Sequence, residues 1–285
     1  VADTPRCPLT AGRRGRGDAP GSFRIKSRSI NMSTKGILAV TVILGIASVA
    51  AAAGQEARVF ELRTYYAAEG RLDDLQARFR DHTLKLFEKH GLTNIGYWVP
   101  IDNPDNKLVY LLAFPSREAR ETAWQAFFAD PVWQEVKKQT EANGRIVTKV
   151  ESVWLAATDF SPAVKPEVKG ERVFELRTYT ASAGNLENLQ ARFRNHTVKL
   201  FERHGMTNIG YWTPLDGQPG AGETLVYLLA HNSVDAAKAS FDAFRQDPDW
   251  VAARKDSEEK AGGPLTVEGG VKSVFLRATD YSPLR

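Results

Sequence analysis

Residues 58–66 alternate along the chain, with Phe60, Leu62, Thr64 and Tyr66 on one face and Glu61, Arg63 and Tyr65 on the other. A period of two over strand-forming residues predicts a half-buried β-strand. After a turn at Gly70, Leu72, Leu75, Phe79, Thr83, Leu86 and His90 recur at spacings of three and four. That is the stripe of an amphipathic helix, which Gly91 can end. Thr93–Val99 and Lys107–Phe114 read as strands, joined through the turn composition Asp102-Asn103-Pro104-Asp105-Asn106. Ser116 can cap a second helical region that runs toward Asn143 and is interrupted at Asp130-Pro131. Val147–Ala156 is a last strand. The order is β-α-β-β-α-β, the ferredoxin-like arrangement of an α+β fold.

The pattern occurs twice. VFELRTYYAAEGRLDDLQARFRDHTLKLFEKHGLTNIGYWVP (Val59–Pro100) matches Val173–Pro214 at a constant offset in about three quarters of its positions. Leu108–Ala113 returns as Leu225–Ala230, and Asp130-Pro131 with Trp133 returns as Asp247-Pro248 with Trp250; the copies end TDFSP and TDYSP. Domains are therefore expected at 58–160 and 172–283, with a polar, Pro-containing linker at 161–171. A sheet with helices on one face leaves an aromatic-bearing face bare. The two units are expected to pack sheet to sheet as an internal pseudo-dimer, with a barrel-like space between the sheets.

Composition narrows the function classes. The chain has one cysteine, which excludes a disulfide framework and a thiolate metal cluster. Its net charge of +4 hints at nucleic acid until the charge is mapped. Residues 1–53 hold eight of the 38 Lys/Arg and two of the 34 Asp/Glu, leaving 30 bases against 32 acids in the rest. The body is mildly acidic, so no nucleic-acid partner is expected. Residues 1–31 are rich in Arg, Gly, Pro and Ser and contain Cys7. Met32-Ser33-Thr34-Lys35, the apolar run Gly36–Val49 and the small residues Ala50–Gly54 then have the layout of a secretory signal peptide. We expect translation to start at Met32, residues 1–31 to be a disordered upstream over-extension, and residues 32–53 to be the signal peptide. Cleavage near Ala53 would release a cysteine-free protein into the periplasm or beyond, without a membrane partner. Retention by an uncleaved N-terminal anchor is the alternative, although the apolar run is shorter than the roughly 20 residues that span a bilayer.

The succession VFELRTY…G.L..L..RFR.HT..LFE.HG.TNIGYW resembles the NIPSNAP family, and does so twice, over nearly all of residues 58–160 and 172–283. The resemblance implies a dimeric α+β barrel fold, related to that of small monooxygenases and stress-response barrels. It implies no established general reaction. Family members are connected with vesicle trafficking and mitochondrial quality control, roles tied to a mitochondrial address that this leader does not resemble.

Few positions offer chemistry. Arg63, Glu61 and Tyr65 share a strand face, as do Arg177, Glu175 and Tyr179. A guanidinium beside a phenol in a barrel cavity could orient an enolate, carboxylate or phenolate; equally, the Arg–Glu pair could neutralise itself across the sheet interface. His82 and His196 stand at the edge of the buried stripe, as general bases or as side chains facing backbone or water. His90 and His204 precede a glycine at a helix end, where a cationic ring complements the helix dipole. Asn94, Gly96 and Trp98 alternate along a strand, as do Asn208, Gly210 and Trp212. They either line a ligand pocket or let the sheets approach with tryptophan as core. Metal-ligand spacing, a P-loop, a dinucleotide fingerprint and a nucleophile elbow are missing from the sequence. No metal or cofactor is expected, with haem ligation by one histidine per unit left open. The functions carried forward are a non-catalytic module binding a small apolar molecule or a protein, and a cofactor-independent oxygenase or isomerase acting on a small aromatic or dicarbonyl substrate.

Overall fold

A computed structural model describes residues 58–164 and 170–285; the expected leader and residues 165–169 of the linker lie outside the described residues. In the first repeat, β1 (Val59–Ala67) leads through α1 (Leu72–Arg78), a π-helical turn (Phe79–Thr83) and α2 (Leu84–Lys89) to β2 (Thr93–Pro100). Then come β3 (Lys107–Phe114), α3 (Arg117–Ala129), α4 (Pro131–Thr140) and β4 (Val147–Ala157). The second repeat runs β5 (Val173–Ala181), α5 (Leu186–Arg192), a π turn (Phe193–Thr197), α6 (Val198–Arg203) and β6 (Thr207–Pro214). It ends with β7 (Thr224–His231), α7 (Val234–Gln246), α8 (Pro248–Ala261) and β8 (Thr266–Ala278).

Local chemistry sets these boundaries. Ser116 and Ser233 accept the N–H groups of Ala119 and Ala236 at 3.1 and 3.0 Å, starting α3 and α7. Asp130 and Asp247 end those helices and cap α4 and α8, each of which opens on proline. The helix expected as one run from Leu72 is widened by its π turn. Thr83 Oγ1 satisfies the Arg78 carbonyl at 3.1 Å, and Thr197 does the same for Arg192 at 3.2 Å. Phe79 and Thr83 thereby stay buried together, while His82 and His196 are exposed to water.

The eight strands close into one antiparallel barrel in the order β1-β3-β2-β8-β5-β7-β6-β4. The seams between repeats are short and pseudo-symmetric: Trp98, Val99 and Pro100 pair with Ala278, Arg277 and Leu276, and Trp212, Thr213 and Pro214 pair with Ala157, Ala156 and Leu155. Beyond each seam the repeat-end tail crosses to the other repeat. Thr158 N–H donates to the Tyr211 carbonyl, Tyr211 N–H donates to Ser161 Oγ at 2.9 Å, and Arg194 forks onto Asp159 at 2.6 and 2.8 Å. Thr279, Ser282 and Asp280 grip Tyr97 and Arg80 in the same way.

The space expected between the sheets is filled. Leu62, Trp98, Val109, Leu111 and Leu155 meet Leu176, Trp212, Val226, Leu228 and Leu276 around a void of ≈ 10 Å³, enough for about one water. Each indole lies back over a glycine: a Cβ on Gly96 would stand 2.3 Å from the Trp98 ring, and one on Gly210 would stand 2.4 Å from that of Trp212. The helices cover the outside of the barrel, where each repeat has a core of its own.

Candidate functional site

Alternation along β1 sends Phe60 and Leu62 into the barrel, and Glu61, Arg63 and Tyr65 outward beneath the helices. The Arg–Glu pair therefore lies between sheet and helix, not across the sheet interface. Glu61 is fully buried and receives hydrogen bonds from Arg63 (2.6 Å), Arg120 (2.7 and 2.9 Å), Trp124 Nε1 (2.8 Å) and Ser152 (2.6 Å). Burial pushes its carboxyl up, but the Arg120 bonds and the Arg63 charge outweigh that and hold it below the ordinary range. Two guanidiniums on one carboxylate leave one positive charge in excess.

Arg63 also donates Nε–H to the Tyr110 hydroxyl at 2.9 Å and approaches the Tyr65 hydroxyl at 3.4 Å. These contacts engage three of its five N–H donors. Burial works against its charge, yet Tyr110, Tyr65 and Glu61 raise its pKa above that of an ordinary arginine. Burial likewise holds the Tyr110 phenol well above its usual value, so the hydroxyl that accepts from Arg63 is neutral.

The second repeat keeps Glu175, Arg177, Tyr179, Tyr227 and Ser273 in the same relation. It differs at the second cation: Ala237 and Phe241 stand where the first repeat has Arg120 and Trp124. His231, in the position of Phe114, brings Nε2 to 3.1 Å from Glu175 instead. Its Nδ1 is buried without a partner, beside Phe241 and Phe275. One guanidinium thus faces one carboxylate here, with the imidazole in place of the second guanidinium.

A cavity of ≈ 240 Å³ opens beside Arg63 in the first repeat. β1 supplies Arg63 and Tyr65, the widened helix supplies Arg78, Phe79, Thr83 and Phe87, and α3 and α4 supply Phe127, Phe128 and Trp133. Exposed Lys137, Arg145 and Val150 mark its open side. Arg78 is buried; Nη1 donates to Glu141 at 3.0 Å, and its Nε–H has no partner. The lining includes no histidine, and among the described residues no three His, Cys, Asp or Glu side chains converge to hold a metal ion.

Of the residues singled out in sequence, Arg63 and Tyr65 lie in this cavity. His82 and His196 face solvent. Asn94 and Trp98 do not share a face, because a β-bulge between Asn94 and Gly96 breaks the alternation. Trp98 enters the barrel, whereas the Asn94 amide donates to the Leu84 carbonyl at 3.1 Å and accepts from the Tyr97 hydroxyl at 2.5 Å. Asn208 and Trp212 repeat this arrangement. His90 and His204 lie 2.7 and 2.8 Å from Asp130 and Asp247, tying a helix end to the next helix cap. The sequence reading missed Arg78, Phe127 and Trp133. The one signal was Phe79, Thr83 and Phe87 at successive spacings of four, a drift of about 40° per step on an ideal helix that a wider turn absorbs.

A family model described as NIPSNAP matches residues 60–162 and 174–283. Comparison with curated protein sequences returns no match. Among solved structures, a Lactobacillus acidophilus protein provisionally described as a monooxygenase superposes with a TM-score of 0.51 at 12% identity, covering 80% of this chain and 98% of its own. A Fusobacterium nucleatum protein with the same provisional description gives 0.53 at 9% identity, over 78% and 93%. An uncharacterized NIPSNAP-like domain protein of Burkholderia xenovorans gives 0.35 at 20% identity, over 40% and 97%. At such identities the first two show a shared fold and leave the reaction open.

Proposed function

Since this chain belongs to the NIPSNAP family, in two tandem copies, we propose that it is a small-molecule-binding module whose site is the sheet–helix cavity of the first repeat. The reading rests on one observation: an aromatic-walled cavity of ≈ 240 Å³ opens onto an arginine with unused donors. That volume lies just under the roughly 300–1,000 Å³ of drug-sized sites, so it suits a ligand of one or two rings. In this reading each copy is a ferredoxin-like unit, the module works without a cofactor, and residues 32–53 export it from the cytoplasm.

Titration of residues 54–285 with 2-naphthamide, followed by its fluorescence, tests the site. Saturable binding is expected, and it should be lost in Val150→Trp, which places a bulky ring at the open side from an exposed position. Binding that Val150→Trp leaves unchanged would put the ligand elsewhere. Arg63 also favours a second reading, a cofactor-independent oxygenase or isomerase, because spare donors beside Tyr65 would stabilise an enolate or phenolate. Conversion of a hydroxyaromatic or 1,3-dicarbonyl probe, abolished by Arg63→Gln, would favour it over binding alone.

A further inference from the structure

We infer that the ligand of the first-repeat cavity is an aromatic carboxylate, its charged end held by Arg63 and Arg78 and its ring lying among Phe79, Phe127 and Trp133. This deepens the binding reading above and rests on it. The lining brings together four cations, Arg63, Arg78, Lys137 and Arg145, against one carboxylate, Glu141. Glu61, behind Arg63, is already matched by Arg120. Lys137 and Arg145 make no ion pair among the described residues, and the buried Arg78 Nε–H has no acceptor. An unmatched buried donor and an excess of positive charge beside aromatic walls are both unfavourable in the empty protein. A carboxylate relieves both, because its two oxygens match the forked donors of a guanidinium.

The second repeat serves as an internal control. It has the same Glu–Arg–Tyr strand, yet two of the first repeat's cations have no counterpart there. Ala237 stands for Arg120 and Pro264 for Arg145, while Arg254, in the place of Lys137, donates at 3.1 Å to Glu258, which Arg192 also approaches at 3.5 Å. The unpartnered buried Nε–H is common to both repeats, since that of Arg192 also lacks an acceptor, but the larger surplus of positive charge belongs to the first.

Calorimetric titration of residues 54–285 with 2-naphthoate and with its neutral isostere 2-naphthamide tests this. The carboxylate should bind about tenfold tighter or better. Arg63→Gln should collapse that preference toward one; Glu61 keeps Arg120, Trp124 and Ser152 in this variant, so the buried carboxylate remains satisfied. Glu141→Gln, a half-buried change, should raise the preference several-fold by removing the one carboxylate of the lining and freeing Arg78. Equal binding of the two probes to the unmodified protein overturns the carboxylate assignment and leaves the binding module standing. A preference that neither substitution alters also overturns it, since the charge would then be read elsewhere. Failure of both probes to bind overturns the binding reading as well.

Discussion

Glu61 is a carboxylate kept charged inside a protein by surrounding it with donors, two of them guanidiniums. Removing it strands Arg63 and Arg120, so Glu61→Ala should cost about 3–5 kcal/mol in urea unfolding. Glu175→Ala should cost less, because it strands one guanidinium where Glu61→Ala strands two. The pH dependence follows from the same contacts. The folded pKa of Glu61, Glu175, Asp130 and Asp247 lies below the ordinary value. A depressed carboxyl contributes stability above its unfolded pKa of about 4, and that contribution is lost as pH falls through the folded value. The unfolding midpoint should therefore hold near neutrality and decline below about pH 4, with a flatter acid limb in Glu61→Gln than in the unmodified protein. At this scale the sequence shows that Glu61, Arg63 and Tyr65 share a face. A period of two cannot say which face is the barrel's outside, and the helix-borne Arg78 and Trp133 become neighbours of Arg63 only in three dimensions. His231 stands out in sequence as an unpaired histidine opposite Phe114, but its purpose is visible only beside Glu175.

Two irregular elements set the geometry around the cavity and the core. The π turn keeps Arg78, Phe79 and Thr83 together on the cavity side, and the bulge at Asn94 turns the rest of β2 over so that Trp98 points inward. Strands and helices are legible from their periods; an inserted residue is not, because it changes the phase without changing the composition. Unbroken alternation places Asn94 and Trp98 on one face, whereas the bulge puts them on two. Gly96 carries the consequence. Any Cβ there meets the Trp98 ring, so Gly96→Ala should lower stability by about 1–3 kcal/mol and shift the melting temperature down. A melting temperature equal to that of the unmodified protein would show that the indole can swing away from the strand.

For the whole molecule, the duplication in the sequence corresponds to the two halves of one eight-stranded barrel, which the TDFSP and TDYSP tails clasp together. What the duplication could not announce is that the barrel closes on itself with its interior filled. The two seams use equivalent residues, so β2 of one copy is complementary to β4 of another copy of the same repeat. The first repeat expressed alone, residues 58–164, should therefore have the mass of a homodimer in light scattering, with Asp159 reaching Arg80 of the second copy. A folded monomer would mean that the seams and clasps are dispensable.

The central claim is that ligand enters beneath the helices and not between the sheets. Three of the six tryptophans report on these places: Trp98 and Trp212 fill the barrel, while Trp133 lines the cavity. With indole nitrogens labelled with ¹⁵N, titration of residues 54–285 with 2-naphthamide should move the Trp133 Nε1–H resonance and leave those of Trp98 and Trp212 in place. Movement of the Trp98 and Trp212 resonances with Trp133 unmoved would put the ligand inside the barrel and contradict the account.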